Sequence, residues 1–267
     1  MLWGLALAFG LGAGYRAFFW TPAAADAPAL PVSAPVEEAA ETFQAIRVTS
    51  PAELAAAKGG GAVLSLKEDS GKLNFVSSLS LASDCGASGW DVNQNTALAQ
   101  ATAQEGARSI ALVSCLRDDT LASARPDLAL RRVSGSPWRD SEGLAWLDPE
   151  NEEVQVYLIG LCREIAQLGF DEIVLTHCAY PTQGDTDDLR RPADPTAQLE
   201  TFLRRLAGAL ADFPVALSLV AEEDCLEADA LSGQSPALLA ILPGQVWAEE
   251  ENREVLSSLD PILLPEN

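Results

Sequence analysis

The sequence predicts an α/β fold, a TIM-type (β/α) barrel that is compressed or incomplete toward its C-terminus. Three observations carry this reading. Short, almost continuously apolar runs alternate with helical patterns, as strands buried on both faces of a parallel sheet require. No Gly-rich phosphate turn follows any of the strands, so a doubly wound open sheet, the alternative, lacks its fingerprint. An eight-stranded barrel usually takes about 250 residues, and only roughly 220 follow the N-terminal linker.

The elements follow in order. Phe43–Val48 reads as a first strand. Ser50-Pro51-Ala52-Glu53 starts a short helix running to about Ala57, with a capping serine, a first-turn proline and an acid three residues after the cap. Gly59-Gly60-Gly61 ends it, Ala62–Lys67 is the second strand, and Glu68–Trp90 is a long polar connection. Asn95–Glu105 is helical, and Ser109–Leu116 is apolar and β-branched enough to be a buried third strand. After a long loop bearing Trp138 and Trp146, Val154, Leu158, Leu161, Ile165 and Leu168 recur at helical spacing, with Gly169 as the C-terminal stop. Glu172–Thr176 is the fourth strand, Thr196–Asp212 a helix and Pro214–Val220 the fifth strand. Leu238–Leu242 and Pro261–Leu264 are later strand candidates.

The N-terminus has a different character. Leu2 to Trp20 is apolar except for Arg16, and the Ala/Pro-rich stretch of residues 21–41 reads as a linker. The expected organisation is therefore a signal peptide or membrane anchor over 1–20, a linker over 21–41 and a barrel domain over 42–267. That points to an exported protein, secreted or anchored, meeting the membrane only through its first segment.

A formal charge of −22, from 39 acids against 17 bases, repels phosphate backbones and argues against nucleic-acid binding. Neutral or cationic partners remain. The five cysteines, Cys85, Cys115, Cys162, Cys178 and Cys225, contain no C-x-x-C pair, so a ribbon-type zinc site is excluded on spacing. Four of them follow strands, close to the lone His177. A soft-metal cluster, packed thiols or a Cys115–Cys178 bridge all fit, and export favours the bridge over the metal. No resident metal or cofactor is expected.

Several motifs together resemble an uncharacterised bacterial family of presumed glycoside hydrolases with a TIM-type barrel. Val63-Leu64-Ser65-Leu66-Lys67-Glu68-Asp69-Ser70-Gly71 is similar to that family's V-I-D-V-K-D-D-S-G. Ile110-Ala111-Leu112 through Leu116-Arg117-Asp118 is similar to I-A-R-x-x-x-F-K-D. Trp138-Arg139-Asp140 and Trp146-Leu147-Asp148-Pro149 match W-x-D and W-x-D-P, and Thr176-His177-Cys178-Ala179-Tyr180-Pro181 stands where the family has D-Y-x-R-F-P. The resemblance implies carbohydrate handling. It also exposes losses: Ser65, Leu112, Thr176 and Ala179 replace charged family residues, the pattern of a retired active site.

Glycoside cleavage needs two carboxyl groups across the bond. Asp69, Asp118 and Glu222 follow the second, third and fifth strands and are the catalytic candidates, because barrel sites form at the C-terminal ends of strands. Lys67, Trp138, Asp140, Trp146, Thr176 and His177 are the candidate substrate contacts. The two tryptophans have a plainer role open to them, pinning the long loop to the barrel. Asp171 and Glu172 start their strand at the opposite end and read as structural. The expected function is an exported glycoside-hydrolase-like protein acting on or binding carbohydrate with lost or altered activity. The alternative is a non-catalytic binding or structural protein for an envelope glycan.

Overall fold

The computed structural model describes residues 43–266; the expected signal or anchor segment and its linker lie outside the described residues. Among those described, no helix is long and apolar enough to cross a membrane. Seven parallel strands pair strictly in chain order: β1 Ala45–Val48, β2 Gly61–Lys67, β3 Arg108–Ser114, β4 Glu172–Thr176, β5 Ala216–Val220, β6 Val246–Ala248 and β7 Ile262–Leu263. They curl into a nearly closed barrel with one unsealed seam, between β1 and β7. There the Arg47 guanidinium crosses from β1 and donates to the Pro265 carbonyl at 3.3 and 3.4 Å.

Successive strand residues face opposite sides, and both sides are buried. Val63, Ile110, Leu112, Val174, Val220 and Trp247 fill the barrel interior. Their alternates, including Leu64, Leu66, Ala111, Ile173, Leu175 and Leu217, meet the surrounding helices. Leu112, where the resembling family has an arginine, is thus an interior packing residue and pairs in register with Ser65. The floor of the barrel is polar. Buried Glu172 accepts from the Trp247 indole at 3.0 Å and from Ser218, and its other oxygen lies 3.3 Å from Arg108. Asp171 accepts from the Ser109 backbone and hydroxyl at 2.7 Å each. Both acids are framework.

The helices start as their caps dictate. α1 (Pro51–Ala56) has Ser50 accepting from the Glu53 amide, while Glu53 reaches back to the Thr49 amide at 2.8 Å. α2 (Ser80–Asp84) lies in the polar connection and α3 (Val92–Thr102) follows it. α4 (Asp119–Ala124) begins directly after β3. α5 (Glu152–Gln167) and α6 (Pro195–Leu210) are capped by Asn151 and Asp194 and bury one face each.

One strand was expected in the wrong place. Leu238–Leu242 is no strand: its first two residues end α7 (Pro236–Leu239) and the rest form a turn, because Ser235 accepts from the Leu238 amide at 3.2 Å and Pro236 occupies the first turn. The sixth strand is instead the short Val246–Ala248.

Candidate active site

The C-terminal ends of the strands open onto a cleft of about 310 Å³. Its first wall is built by the turns after β2, β3 and β4. The β2–β3 register slips between Ser65 and Lys67, and the turn that follows carries Asp69 into the cleft. Arg117, just past β3, is the hub of this wall. Its Nη1 lies 2.9 Å from Asp69, its Nε 2.8 Å from Asp140 and its Nη2 3.0 Å from Glu142. Asp140 also accepts from the Trp146 indole at 2.9 Å. The Trp146 ring meets the His177 ring edge-on, with centroids 5.4 Å apart.

His177 completes the wall. Its backbone takes a left-handed φ of +49°, a conformation uncommon outside glycine and frequent at functional sites. The imidazole Nδ1 lies 3.2 Å from Asp69 Oδ1. Burial pushes the Asp69 carboxyl up, but the His177 hydrogen bond and charge, Ser114 and Arg117 outweigh it and hold Asp69 well below the usual carboxylate range. Asp140 is lowered too: burial opposes, and its bonds to Trp146 and Arg117 prevail.

The second wall comes from the turns after β5 and β6 and is the opposite electrostatically. Burial raises the Glu222 carboxyl to about 7; His177 pulls it down, and Asp224 and Glu249 push it up. Glu249 is raised by burial and by Glu251. The Glu222 backbone is fixed by buried Gln234, whose side chain accepts from the Glu222 amide at 2.8 Å and donates to the Cys178 and Val220 carbonyls.

Asp69, Glu222, Asp140, Trp146, Thr176 and His177 all line the cleft. Three other candidates, Asp118, Lys67 and Trp138, do not line it and hold the framework instead. Asp118 is fully buried, paired with Lys67 at 3.0 Å and capping α4 through the Leu121 amide at 2.8 Å. Lys67 turns beneath the cleft floor, donating also to the Ser114 carbonyl at 2.7 Å. Trp138 is fully buried, with its indole donating to the Asp185 carbonyl at 2.8 Å, so it pins one loop to another. Gly71 shows why Asp118 stays below. Its φ is +86°, and a Cβ there would sit 1.9 Å from Asp118 Oδ1.

Arg117, Glu142, Glu249 and Glu251 were not anticipated. A base at the end of a predicted strand, in a chain so poor in bases, was a usable signal for Arg117. Glu249 and Glu251 carried none, because they follow the strand that was misplaced. The five cysteines are free thiols. Cys115 and Cys178 are neighbours without a bridge: the contact with the Cys115 thiol, and then burial, raise Cys178. Among the described residues, no three His, Cys, Asp or Glu side chains are placed to hold a metal ion.

Comparison with known proteins agrees with the barrel fold. A family described as "putative glycosyl hydrolase domain" matches residues 38–221. No curated protein matches the sequence. A hypothetical protein from Ruminiclostridium thermocellum is similar in structure, with 23% identity and a TM-score of 0.56 over 65% of this chain and 96% of that one. A chitobiase from Flavobacterium johnsoniae has 12% identity and a TM-score of 0.51 over 84% of this chain. The chain spans 38% of that chitobiase's length. At these identities the likeness shows the fold alone.

Proposed function

Because the chain belongs to the putative glycosyl hydrolase domain family, we propose that its cleft binds carbohydrate and that its hydrolytic chemistry is reduced. One observation carries the second half. Asp69 is strongly ionised, yet both its oxygens are engaged, Oδ1 by His177 and Oδ2 by Arg117. Cleavage needs a proton donor and a carboxylate free to attack or to activate water. Glu222 suits the donor, since a carboxyl near 7 is partly protonated at neutral pH. The place of the family's acid is Thr176, which offers only a hydroxyl to the cleft.

A second reading is a working hydrolase with Glu222 as acid and Asp69 as its ionised partner. It is favoured by the opposite displacement of these two carboxyls, the pattern that separates acid from base in such sites.

Glycan-array binding and a parallel hydrolysis assay on the full-length protein test both. The expected result is binding with little or no release of product, and a gain of hydrolysis in Thr176→Asp. Rapid turnover abolished by Asp69→Asn would establish the second reading instead. Ala179, where the family has an arginine, is buried, so an arginine restored there would overpack its surroundings. We place the domain outside the cytoplasm on the strength of the apolar run 2–20 and the linker. Fractionation that finds the full-length protein soluble in the cytoplasm would refute that.

A further inference from the structure

A second cavity, of about 540 Å³, lies beside the cleft, between the loops after β3 and β4 and the start of α6. Its volume is in the range of small-ligand sites. Tyr180 is the partition, because it lines both spaces. The residue is only 1% exposed, and its hydroxyl has no hydrogen-bond partner among the described residues. The charges that this hydroxyl feels are those of Glu150, Asp148 and Arg191. All three line the second cavity and none lines the cleft, so the hydroxyl is aimed at the second cavity. The resembling motif ends in F-P where this chain has Tyr180-Pro181, which makes the hydroxyl this chain's own addition. Leaving a buried hydroxyl unpaired is costly, and a ligand atom in the cavity would relieve that cost.

The charged groups around the cavity are balanced, in a chain whose formal charge is −22. Arg131, Arg190 and Arg191 line it together with Asp148, Glu150 and Asp194. Arg131 and Arg191 donate to backbone carbonyls. Arg190 acts on Asp148 and Glu150 through space, without a hydrogen bond. Asp148 and Asp194 accept from the Glu150 and Ala197 amides at 2.9 Å each. An anion entering here meets three carboxylates, and a cation meets three guanidiniums. An apolar ligand offers none of these groups a partner. A neutral ligand rich in hydroxyls suits the set, because each hydroxyl both donates and accepts, and neighbouring ones can bridge a guanidinium and a carboxylate.

We propose that this cavity is a second binding site, distinct from the cleft, and that it takes a neutral sugar unit whose hydroxyls meet Tyr180, Arg190 and Asp148. The inference goes beyond the cleft reading and stands whether or not that reading holds. Tyr180 lies just beneath the cavity wall, and engaging it needs a side-chain adjustment of the kind common on binding.

Fluorine NMR of the full-length protein, with fluorotyrosine in place of tyrosine, tests this. The chain has three tyrosines, and Tyr180→Phe, which removes only the unpaired hydroxyl, identifies the Tyr180 signal. Glucose, galactose, mannose and N-acetylglucosamine are the neutral probes; galacturonate, glucosamine and inorganic phosphate are the charged ones. At least one neutral sugar should shift the Tyr180 signal saturably, and at lower concentration than any charged probe. Arg190→Gln, at an exposed position that the fold tolerates, should weaken this binding by roughly tenfold. Glu222→Gln, in the cleft, should leave it unchanged. Dependence on Glu222 and not on Arg190 would put the sugar in the cleft and overturn the inference while the cleft reading stands. Tighter binding of a charged probe would overturn it as well. So would the lack of a shift with every neutral sugar, which would show the cavity to hold water only.

Discussion

Lys67 and Asp118 face each other at 3.0 Å with both side chains fully buried. The pair joins the end of β2 to the start of α4 directly beneath the cleft. Removing one partner strands the other charge in the interior, at a cost of roughly 3–5 kcal/mol. Asp118→Ala should therefore lower the urea midpoint sharply, and Asp118→Asn less so, because the amide oxygen can still accept from Leu121. A loss under about 1 kcal/mol in the alanine variant would show the pair to be solvated.

Glu222 gives a pH signature. Its folded value of about 7 exceeds the ordinary 4.5, so the unfolded chain releases this proton first. The folded state is penalised progressively from about pH 4.5 to about 7, and fully above that. Glu222→Gln removes the penalty. The variant should gain stability over wild type across that window, by an amount on the order of 3 kcal/mol at most. Equal pH profiles for the two proteins would refute the assignment.

Asp69 works in the opposite sense. A carboxylate held below its usual range stabilises the fold above that range and loses this contribution as pH falls through the folded value. Wild type should exceed Asp69→Asn in thermal midpoint at neutral pH, with the difference shrinking in strong acid. Arg117→Ala should show the same trend more strongly, because it also frees Asp140 and Glu142.

The thiols offer a simple readout. Cys115, Cys162, Cys178 and Cys225 are buried, and Cys85 is half-exposed. Burial raises Cys162, and it raises Cys225 to about 11. An aromatic disulfide reagent at neutral pH should modify at most Cys85 in the native protein and all five after denaturation. Prompt reaction of Cys115 or Cys178 in the native state would contradict their placement.

How much of this was legible depends on the range of the force involved. β2, β3 and β4 were readable to within a residue or two, because strands buried on both faces need unbroken apolar runs. α1 was readable from its cap. β6 was not: three residues, Val246–Ala248, leave no run to detect, and the stronger-looking Leu238–Leu242 was claimed by Ser235 and Pro236. The site was half legible. The residues after strands led to Asp69 and Glu222, since strand ends face one rim. Asp118 goes below because it caps α4 and pairs with Lys67, with Gly71 leaving it room, while Asp69 turns up to Arg117 and His177. The Arg117 hub joins Asp69, Asp140 and Glu142 across long stretches of chain, and spacing carries no trace of such contacts.

The unsealed seam leaves two sheet edges facing each other without a ladder between them. Exposed edges can template pairing with another molecule and so seed aggregation. Here the chain beyond β7 ends its run at Pro265, which has no amide hydrogen to offer a newcomer, and its carbonyl is already taken by Arg47. The charge of that arginine also stands at the margin of β1, where an incoming strand would have to bury it. One side chain thus guards both borders of the gap, and Arg47→Ala should be felt less in the stability of the monomer than in its tendency to self-associate when concentrated or warmed.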